Sequence, residues 1–334
     1  MLNREGIFAG AGYHMQAGGA HAEIEALNQA GSQALGGTLY VTLEPCNHHG
    51  RTPPCVERII ESGIRRVVIA LRDPNPKVAG GGALVLARSG IEVVSGVAEA
   101  EAAGLNRPWI TWITTGRPFV VLKLAVSSRW EVAPPPRSDR RWITGEPARR
   151  QVHSLRGWCD AILVGSGTVA ADDPELTNRS GTGGRPLRVI VDSHLRTEAG
   201  AKVFDSSAPT LVFSCVDFDP EKSRLLHSKG IEHRVIDSGT GSGGMVDLRA
   251  AIEQLGQRGV QGVLCEPGPK IAAALLEQDL VDRLIVYRSA DTLGPGSLVF
   301  PKEIFSSWSG RAVERLNRRI GRDSVAVYDR GAAG

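Results

Sequence analysis

The sequence predicts an α/β protein with two domains. The chain has 334 residues, more than a single hydrophobic core usually holds. Short runs of β-branched and apolar residues alternate along it with helical segments, which is typical of mostly parallel sheets covered by helices. The boundary is predicted near Gly116, Arg117 and Pro118. One domain therefore spans residues 1–115 and the other spans residues 116–334.

The first domain is predicted to begin with a strand over residues 6–12. A helix follows over residues 21–29. A later helix opens at Cys55 and ends before Gly63, which stands where a glycine commonly terminates a helix. The other predicted elements are strands at 37–43, 66–71 and 91–95, a helix at 80–89, an acidic helix at 98–103 and an aromatic segment at 104–116.

The second domain continues this alternation. Its predicted strands lie at residues 119–126, 161–164, 188–191, 210–213, 262–265 and 283–287. Lys123 lies in the middle of the first strand, where a lysine is unexpected unless it faces a ligand cleft. Residues 237–244 are rich in serine and glycine and are predicted to form a surface loop.

The charge balance argues against a nucleic-acid partner. The chain has 39 basic and 36 acidic residues, a net charge of +3. Counted separately, the first domain has 9 basic and 10 acidic residues, so neither domain is a polycation. Nucleic-acid-binding domains usually concentrate basic residues on one face. We therefore expect a small-molecule partner.

The cysteine pattern and the apolar runs predict a cytoplasmic protein. Of five cysteines, Cys159, Cys215 and Cys265 are scattered singly, which is not the pattern of a disulfide framework. The first residues lack the basic and apolar regions of a signal peptide. No apolar run approaches the roughly 18 residues that a membrane span needs. We expect neither a membrane anchor nor secretion.

A histidine, a glutamate and two cysteines form the strongest functional signal. His21 and Glu23 stand two residues apart, and Cys46 and Cys55 each follow a proline. One imidazole and two thiolates are ligands that Zn²⁺ takes in catalytic sites, where a fourth position is left to water. Glu23 is placed to move protons between that water and a substrate nitrogen. The pattern predicts hydrolytic removal of an exocyclic amine.

The spacing of these residues narrows the interpretation. A single cysteine is most often a small buried apolar residue, but the four residues fall within 35 positions of one another, which favours a metal site. Eight residues separate Cys46 from Cys55. Nucleobase deaminases of the cytidine and tRNA-adenosine types have two residues between their cysteines. The spacing therefore argues against those patterns.

The second domain has a weaker signal of its own. Residues 165–168 read Gly-Ser-Gly-Thr directly after a predicted strand, and residues 172–179 read DDPELTNR. Glycines often begin helices for reasons of packing, and an Asp-Asp-Pro segment is most often only a turn. From these residues alone, a cofactor loop and a plain turn both remain open.

Several motifs resemble the RibD family, the bifunctional deaminase and reductase of riboflavin biosynthesis. Residues 44–55, EPCNHHGRTPPC, resemble that family's zinc loop. In the second domain, the segments WITG, RQVHSLR, ILVGSGTV and DDPELTNR resemble its reductase motifs in the same order. The resemblance covers residues 18–294.

The resemblance implies a cytidine-deaminase-like three-layer domain followed by a dihydrofolate-reductase-like α/β domain. It implies a zinc-dependent deaminase acting on a diaminopyrimidinone that carries a ribosylamino phosphate. It also implies a reductase that converts the ribosyl group to ribityl with NADPH. Family members tend to associate through their reductase domains, so a homo-oligomer is expected.

The resemblance also assigns residues to the reductase and to substrate contacts. The residues implied to contact NADPH are Ala125, Trp142, Thr168, Asp172, Ser193 and Gly268. The residues implied to contact substrate are His14, Asn75, Arg156, Leu176, Arg179 and Glu266. A guanidinium group suits the phosphate of a ribose phosphate, which gives the two arginines a physical role.

The chain departs from the family pattern in the cleft expected for reduction. Arg129 and Trp130 replace an aspartate and a glycine, and we expect a strained or blocked turn there. Pro267 replaces a glycine and donates no N–H to a phosphate. Gly81 replaces a lysine, and the first domain is short at its N-terminus relative to the family.

These departures leave alternatives to the bifunctional enzyme. The chain could be a deaminase alone, a non-catalytic relative with a degenerate reductase domain, or a deaminase of a related pyrimidine in another pathway. Retention of Glu23 favours an enzyme, because this residue contributes nothing to zinc ligation.

Overall fold

The structure is a computed structural model that describes residues 1–15, 18–50, 52–75, 81–135, 138–139, 142–236 and 244–331. The chain separates into two compact units, Met1–Thr115 and Gly116–Gly334. Each unit is an α/β structure with its own sheet and hydrophobic core. The predicted loop at 237–244 lies outside the described residues except for Gly244.

The first unit is built on a small parallel sheet with strand order β1-β2-β3. Its strands are β1 (Thr38–Leu43), β2 (Arg66–Leu71) and β3 (Glu92–Ser95), and its helices are α1 (Ala22–Ala30), α2 (Cys55–Glu61), α3 (Gly81–Arg88) and α4 (Glu99–Thr115), with a short 3₁₀ helix at Gly31–Ala34. Leu27, Ile59, Ile69 and Leu86 meet in the core between these elements. The predicted strands at 37–43, 66–71 and 91–95 are confirmed.

The strand predicted at residues 6–12 is wrong. Leu2 makes isolated antiparallel bridges with Phe8 and Thr38, but no strand forms in the described residues before β1. Gly10 and Gly12 instead lie against α1. A Cβ atom at Gly10 would come within 2.4 Å of the carbonyl oxygen of Ala26. Glycine at these two positions therefore allows the chain to pass close to α1, and the segment does not pair as a strand.

The separate helix and aromatic segment predicted at 98–103 and 104–116 form one helix, α4, which continues through Pro108. A proline removes one backbone hydrogen bond from a helix interior. The helix is 17 residues long, and Asn106 Nδ2 also donates to the carbonyl oxygen of Ala102 at 2.9 Å. Many remaining hydrogen bonds therefore outweigh the one that is lost.

The second unit contains a nine-stranded sheet with the order β13-β14-β11-β4-β10-β6-β7-β8-β9. Its strands are β4 (Phe119–Val126), β6 (Ala161–Gly165), β7 (Leu187–Val191), β8 (Thr210–Ser214), β9 (Glu232–Val235), β10 (Gly262–Cys265), β11 (Arg283–Arg288), β13 (Ala312–Ile320) and β14 (Asp323–Arg330). The strands from β11 to β9 are parallel, as predicted, and β13 and β14 are antiparallel. Two further short strands, β5 (Glu131–Ala133) and β12 (Leu298–Val299), pair with each other.

Helices cover both faces of this sheet. They are α5 (Glu146–Trp158), α6 (Ser166–Asp172), α7 (Pro220–Ser228), α8 (Leu248–Gln257), α9 (Pro269–Glu277) and α10 (Lys302–Ser309), with a 3₁₀ turn at Lys202–Phe204. Helices α8, α9 and α10 pack on one face, and α5, α6 and α7 contribute to cores on the other. None of the helices in the described ranges is long and apolar enough to cross a bilayer.

The antiparallel hairpin of β13 and β14 is an addition that the sequence did not predict. Nearly every residue of β13 is exposed, and its sequence AVERLNRRI lacks the apolar alternation of a half-buried strand. Strand β14 supplies the buried contacts of the pair, including fully buried Val325.

Trp130 occupies the turn that was expected to be strained. Its φ is +66°, in the left-handed region that disfavours residues other than glycine. Its indole is 8% exposed and packs on Phe305, with ring centroids 4.4 Å apart. The turn is therefore in the strained conformation that was expected for a residue other than glycine, and the indole itself packs into the hydrophobic core.

Candidate metal site and ligand cleft

Two helix starts and one loop bring the predicted zinc ligands together in the first unit. His21 is the N-cap of α1, Cys55 is the first residue of α2, and Cys46 lies in the loop after β1. His21 Nδ1 lies 3.1 Å from Cys55 Sγ and 3.5 Å from Cys46 Sγ. The three ligand atoms all lie within 4.8 Å of one another. They could therefore share one ion.

The electrostatics of the two sulfurs suit a metal ligand. A hydrogen bond between the two thiols lowers the pKa of Cys46 to about 5, against the effect of its burial. The same bond, followed by burial, raises the pKa of Cys55. The backbone N–H of Cys55 also donates to Cys46 Sγ at 3.3 Å. One imidazole and two sulfurs, one of them readily deprotonated, form a donor set that fits Zn²⁺.

Glu23 lies in the first turn of α1, one residue after the helix begins. Burial raises the pKa of its carboxyl group, outweighing the opposing effects of a backbone hydrogen bond and of the neighbouring imidazole of His21. A carboxyl group with a raised pKa can hold a proton closer to neutral pH than an exposed one. Its position beside the ligands and its pKa both suit a general acid and base.

A cavity of about 250 Å³ opens over these ligands. Its lining residues are His14, Gly18, His21, Cys46, His48, Gly50 and Thr52. The ring of His14 stands edge-on to that of His21, with centroids 5.3 Å apart, and its Nδ1 lies 3.0 Å from the carbonyl oxygen of Ala20. His14, predicted to contact substrate, is therefore at the site.

Two residues support this site in ways that sequence reasoning missed. Thr52 Oγ1 lies 3.5 Å from His21 Nε2, the ring nitrogen that faces away from the sulfurs. Glu44, which is buried, accepts hydrogen bonds from the backbone N–H groups of Ala83 at 2.8 Å and Asp73 at 3.2 Å. Both residues belong to the EPCNHHGRTPPC segment, so the motif itself carried the signal.

Asn75, the other residue of this unit predicted to contact substrate, lies on the loop after β2. Its backbone N–H donates to Asp73 Oδ1 at 2.8 Å. Asp73 in turn donates its own N–H to Glu44. Asn75 thus belongs to the loop that Glu44 holds, and it is not among the residues that line the described cavity.

In the second unit, a buried carboxylate holds two cations. Glu266 follows β10 and accepts from Arg156 Nε at 2.7 Å, and its other oxygen lies 3.5 Å from Lys123 Nζ. The Glu266 side chain is 9% exposed. Burial raises its pKa, but the charges and hydrogen bonds of Arg156 and Lys123 together prevail and lower the pKa to about 2. Glu266 is therefore ionised at neutral pH.

Arg156 also connects this cluster to the loop before β7. Its Nη1 donates to the carbonyl oxygen of Thr177 at 3.3 Å. In the same loop, Leu176 is buried with a φ of +51°, and Arg179 pairs with Glu175 at 3.4 Å. The structure thus joins Arg156 directly to Glu266 and, through Thr177, to the segment that carries Leu176 and Arg179.

Two of the predicted NADPH residues lie side by side. Gly268 is the N-cap of α9, and a Cβ atom built on it would lie 3.6 Å from Thr168 Oγ1. Neither α6 nor α9 has a side chain capping its first turn, so backbone N–H groups there can receive an anion. Pro269 occupies the first position of α9, where a backbone N–H is least needed. The two helix starts follow the neighbouring parallel strands β6 and β10. Backbone N–H groups in such a position suit the phosphates of a dinucleotide.

Of the other predicted NADPH residues, Asp172 lies on the same helix as Thr168, and the rest lie elsewhere in the unit. Ser193 Oγ accepts from the backbone N–H of Val246 at 3.0 Å. Trp142 is 54% exposed, and the guanidinium of Arg149 lies 5.0 Å from the centre of its ring. Asp172 ends α6, and Ala125 lies on β4 opposite Tyr287.

Fold and sites together define a two-unit enzyme in which a zinc-type deaminase unit precedes a reductase unit. Residues 2–71 match the family model of the cytidine and deoxycytidylate deaminase zinc-binding region, and residues 118–321 match that of the RibD C-terminal domain. The chain belongs to the RibD family of riboflavin biosynthesis proteins. Its second unit is thus a RibD reductase domain with a dihydrofolate-reductase-like fold.

Similar proteins extend over nearly the whole chain. The riboflavin biosynthesis protein RibD of Aquifex aeolicus is 38% identical over 98% of this chain and 90% of its own length. A solved structure of Acinetobacter baumannii RibD has a TM-score of 0.85 at 33% identity, covering 98% of this chain and 90% of its own. A Thermotoga maritima structure with the same identity and coverage has a TM-score of 0.83. Both units match, which supports the bifunctional enzyme over the alternatives.

Proposed function

We propose that the chain catalyses two reactions of riboflavin biosynthesis. The first is hydrolytic deamination of a diaminopyrimidinone ribosyl phosphate, and the second is NADPH-dependent reduction of the ribosyl group to ribityl. The Thermotoga maritima relative is named as a diaminohydroxyphosphoribosylaminopyrimidine deaminase and 5-amino-6-(5-phosphoribosylamino)uracil reductase. The observation that carries the first activity is the convergence of His21, Cys46 and Cys55 beside Glu23.

In the deaminase unit, His21, Cys46 and Cys55 would hold the zinc ion. A bound Zn²⁺ lowers the pKa of a coordinated water, which makes a nucleophile available near neutral pH. Glu23 accepts a proton at its carboxylate and returns it to the exocyclic nitrogen, so that ammonia leaves. His14, which lines the cavity, and Asn75, on the loop held by Glu44, would orient the pyrimidine. The water oxygen replaces the amine on the ring carbon, and atoms balance with one water consumed per ammonia released.

In the reductase unit, Arg156 and Arg179 would bind the substrate phosphate. Leu176 and Glu266 complete the substrate contacts. The residues that would hold NADPH are Ala125, Trp142, Thr168, Asp172, Ser193 and Gly268. NADPH, when bound, supplies a hydride for reduction of the ribosyl carbon. The ammonium group of Lys123, 3.5 Å from Glu266, would donate a hydrogen bond to a sugar oxygen of the substrate.

A single preparation tests both activities. The zinc content of the purified protein is measured, and the diaminopyrimidinone ribosyl phosphate is then supplied with and without NADPH. We expect one zinc per chain, ammonia release in both samples, and NADPH oxidation after deamination. Ammonia release without NADPH oxidation would refute the second activity. Neither product from zinc-loaded protein would refute both.

The cellular setting and assembly form part of the same proposal. All five cysteines are free thiols, as expected for a reducing cytoplasm. Exposed strand β13 at the edge of the large sheet offers unpaired backbone groups, which supports association of two chains through the reductase unit. Light scattering of the purified protein tests this association: a monomer at micromolar concentration would contradict it.

A further inference from the structure

Tyr287 is a buried residue of the reductase unit to which the activities above assign no part. It lies on β11, and its side chain is 1% exposed. Among the residues that the structure describes, no atom forms a hydrogen bond with its hydroxyl group. A buried hydroxyl without a partner destabilises the fold, so such a group usually has a functional or structural explanation.

The sheet register places Tyr287 beside the ligand cleft. Tyr287 lies directly opposite Ala125 on the neighbouring strand, β4. Two residues earlier on the same strands, Ile285 lies opposite Lys123. Since side chains two residues apart share a face of a sheet, Tyr287, Ala125 and Lys123 face the same side, the side covered by α5. The phenol is therefore a neighbour of the Lys123 and Glu266 ion pair.

The carboxylate of Glu266 affects the pKa of the Tyr287 phenol. After burial, the carboxylate of Glu266 is the next cause that raises the pKa of Tyr287, while the charge of Arg318 lowers it. The phenol therefore keeps its proton at neutral pH and can act only as a neutral hydrogen-bond donor or acceptor. Among the charged groups that act on its pKa, Glu266 is the one that can accept its proton in a hydrogen bond.

Binding of a ligand would leave Glu266 in need of a hydrogen-bond donor. Its charge is balanced by Arg156 and Lys123 in the structure. A ligand phosphate or sugar oxygen that draws either cation towards itself leaves a buried carboxylate with less compensation. Removing one partner of a buried ion pair is strongly unfavourable unless another group replaces it. A hydroxyl group with a free proton in the same layer can replace it.

We propose that Tyr287 is a positioning residue of the reductase, whose hydroxyl donates a hydrogen bond to Glu266 when substrate engages Arg156 and Lys123. This inference rests on the proposed reductase function and adds a residue to it. Tyr287 acts through Glu266 and has no contact with the reacting atoms. The described residues give its hydroxyl no hydrogen-bond partner, and Glu266 supplies one on binding.

The test is Tyr287→Phe, which removes only the hydroxyl group. The Michaelis constant for the deaminated ribosyl substrate should rise about tenfold, the effect of losing one hydrogen bond to a charged group, while kcat changes less than twofold. The melting temperature of the variant should be unchanged or higher, because an unpaired polar group is removed. Ammonia release by the deaminase unit, measured on the same sample, should be unchanged.

The matched control is Tyr328→Phe on β14. Tyr328 is a tyrosine of the same sheet whose hydroxyl interacts with Glu314, away from the cluster. This variant should leave the Michaelis constant unchanged. In addition, Tyr287→Phe should have a smaller effect in a Glu266→Gln background than in the natural chain, since the two residues act as a pair.

Calorimetric binding of ribose 5-phosphate separates this inference from the function on which it rests. Should the natural chain not oxidise NADPH, the proposed activity fails, and the affinities of natural chain and Tyr287→Phe for ribose 5-phosphate still decide the role of Tyr287. About tenfold weaker binding by the variant supports the inference. Equal affinities, or a lowered melting temperature with an unchanged Michaelis constant, would show that the hydroxyl is only structural and overturn it.

Discussion

The two units build their sites in different ways. In the deaminase unit, the three proposed zinc ligands and Glu23 come from 35 consecutive positions, carried by two helix starts and one loop. In the reductase unit, the central cluster joins Arg156 to Glu266, 110 positions apart, with Lys123 on a third element. A site formed by local chain geometry is visible in a sequence motif. A site formed by sheet topology becomes visible only when the strands are ordered.

This difference decides how much could be predicted. The helix starts at His21 and Cys55 followed from their caps and apolar periodicity, and the strands of the parallel sheet followed from their apolar runs. The partnership of Glu266 with Lys123 could not be read from the sequence, because it depends on β10 lying beside β4. Resemblance named Glu266 as a substrate residue without indicating the cations that hold it.

Two segments show where prediction from the sequence stopped short. Residues 6–12 were predicted to form a strand, whereas Gly10 and Gly12 make room for α1. The turn at Trp130 was expected to be strained, and its φ of +66° agrees, but the packing of the indole against Phe305 was not predicted. In both cases the direction of packing was decided by distant parts of the unit.

The largest expected effect is a loss of ammonia release that leaves NADPH oxidation unchanged. Glu23→Gln should reduce ammonia release by about 10³-fold, the scale of a lost general acid and base. Zinc content and NADPH oxidation with deaminated substrate should be unchanged, because Glu23 is not a ligand. Glu25→Gln, an exposed residue on the same helix, is the control and should retain full activity. A Glu23→Gln enzyme that deaminates normally would remove this residue from the mechanism.

The next effect tests the buried cluster of the reductase unit. Arg156→Ala leaves Glu266 with Lys123 alone, and the free energy of unfolding of this unit should fall by about 3 kcal/mol. Arg150→Ala on the same helix removes an exposed ion pair with Glu146 and should cost less than about 0.5 kcal/mol. Chemical denaturation measures both. Equal losses would mean that burial of the cluster contributes little.

Acid should lower the folding stability of the reductase unit, because Glu266 becomes protonated there. The pKa of Glu266 falls from 4.5 to about 2 on folding. A depressed carboxyl pKa stabilises the fold above the unfolded value, and this contribution of about 3 kcal/mol is lost as pH falls from about 5 towards 2. Hydrogen exchange of amides in β4 and β10 should therefore accelerate over this range. In Glu266→Gln the acceleration should be smaller, and an identical pH profile would contradict the assignment.

The smallest effect concerns the turn at Trp130. Trp130→Gly and Trp130→Ala both lose the buried indole, but only glycine adopts a φ of +66° without steric strain. The glycine variant should therefore be more stable than the alanine variant by about 1 kcal/mol, measured as a difference in unfolding free energy. An alanine variant that equals or exceeds the glycine variant would show that the turn is not strained.

The central claim is that one chain carries two chemically independent sites, of which only the first depends on a metal. The most direct measurement is treatment of the purified protein with a zinc chelator, followed by separate assays of ammonia release and of NADPH oxidation with the deaminated substrate. We predict that ammonia release is lost and returns when zinc is added back, while NADPH oxidation continues at its original rate. Ammonia release that survives complete removal of zinc would contradict this account.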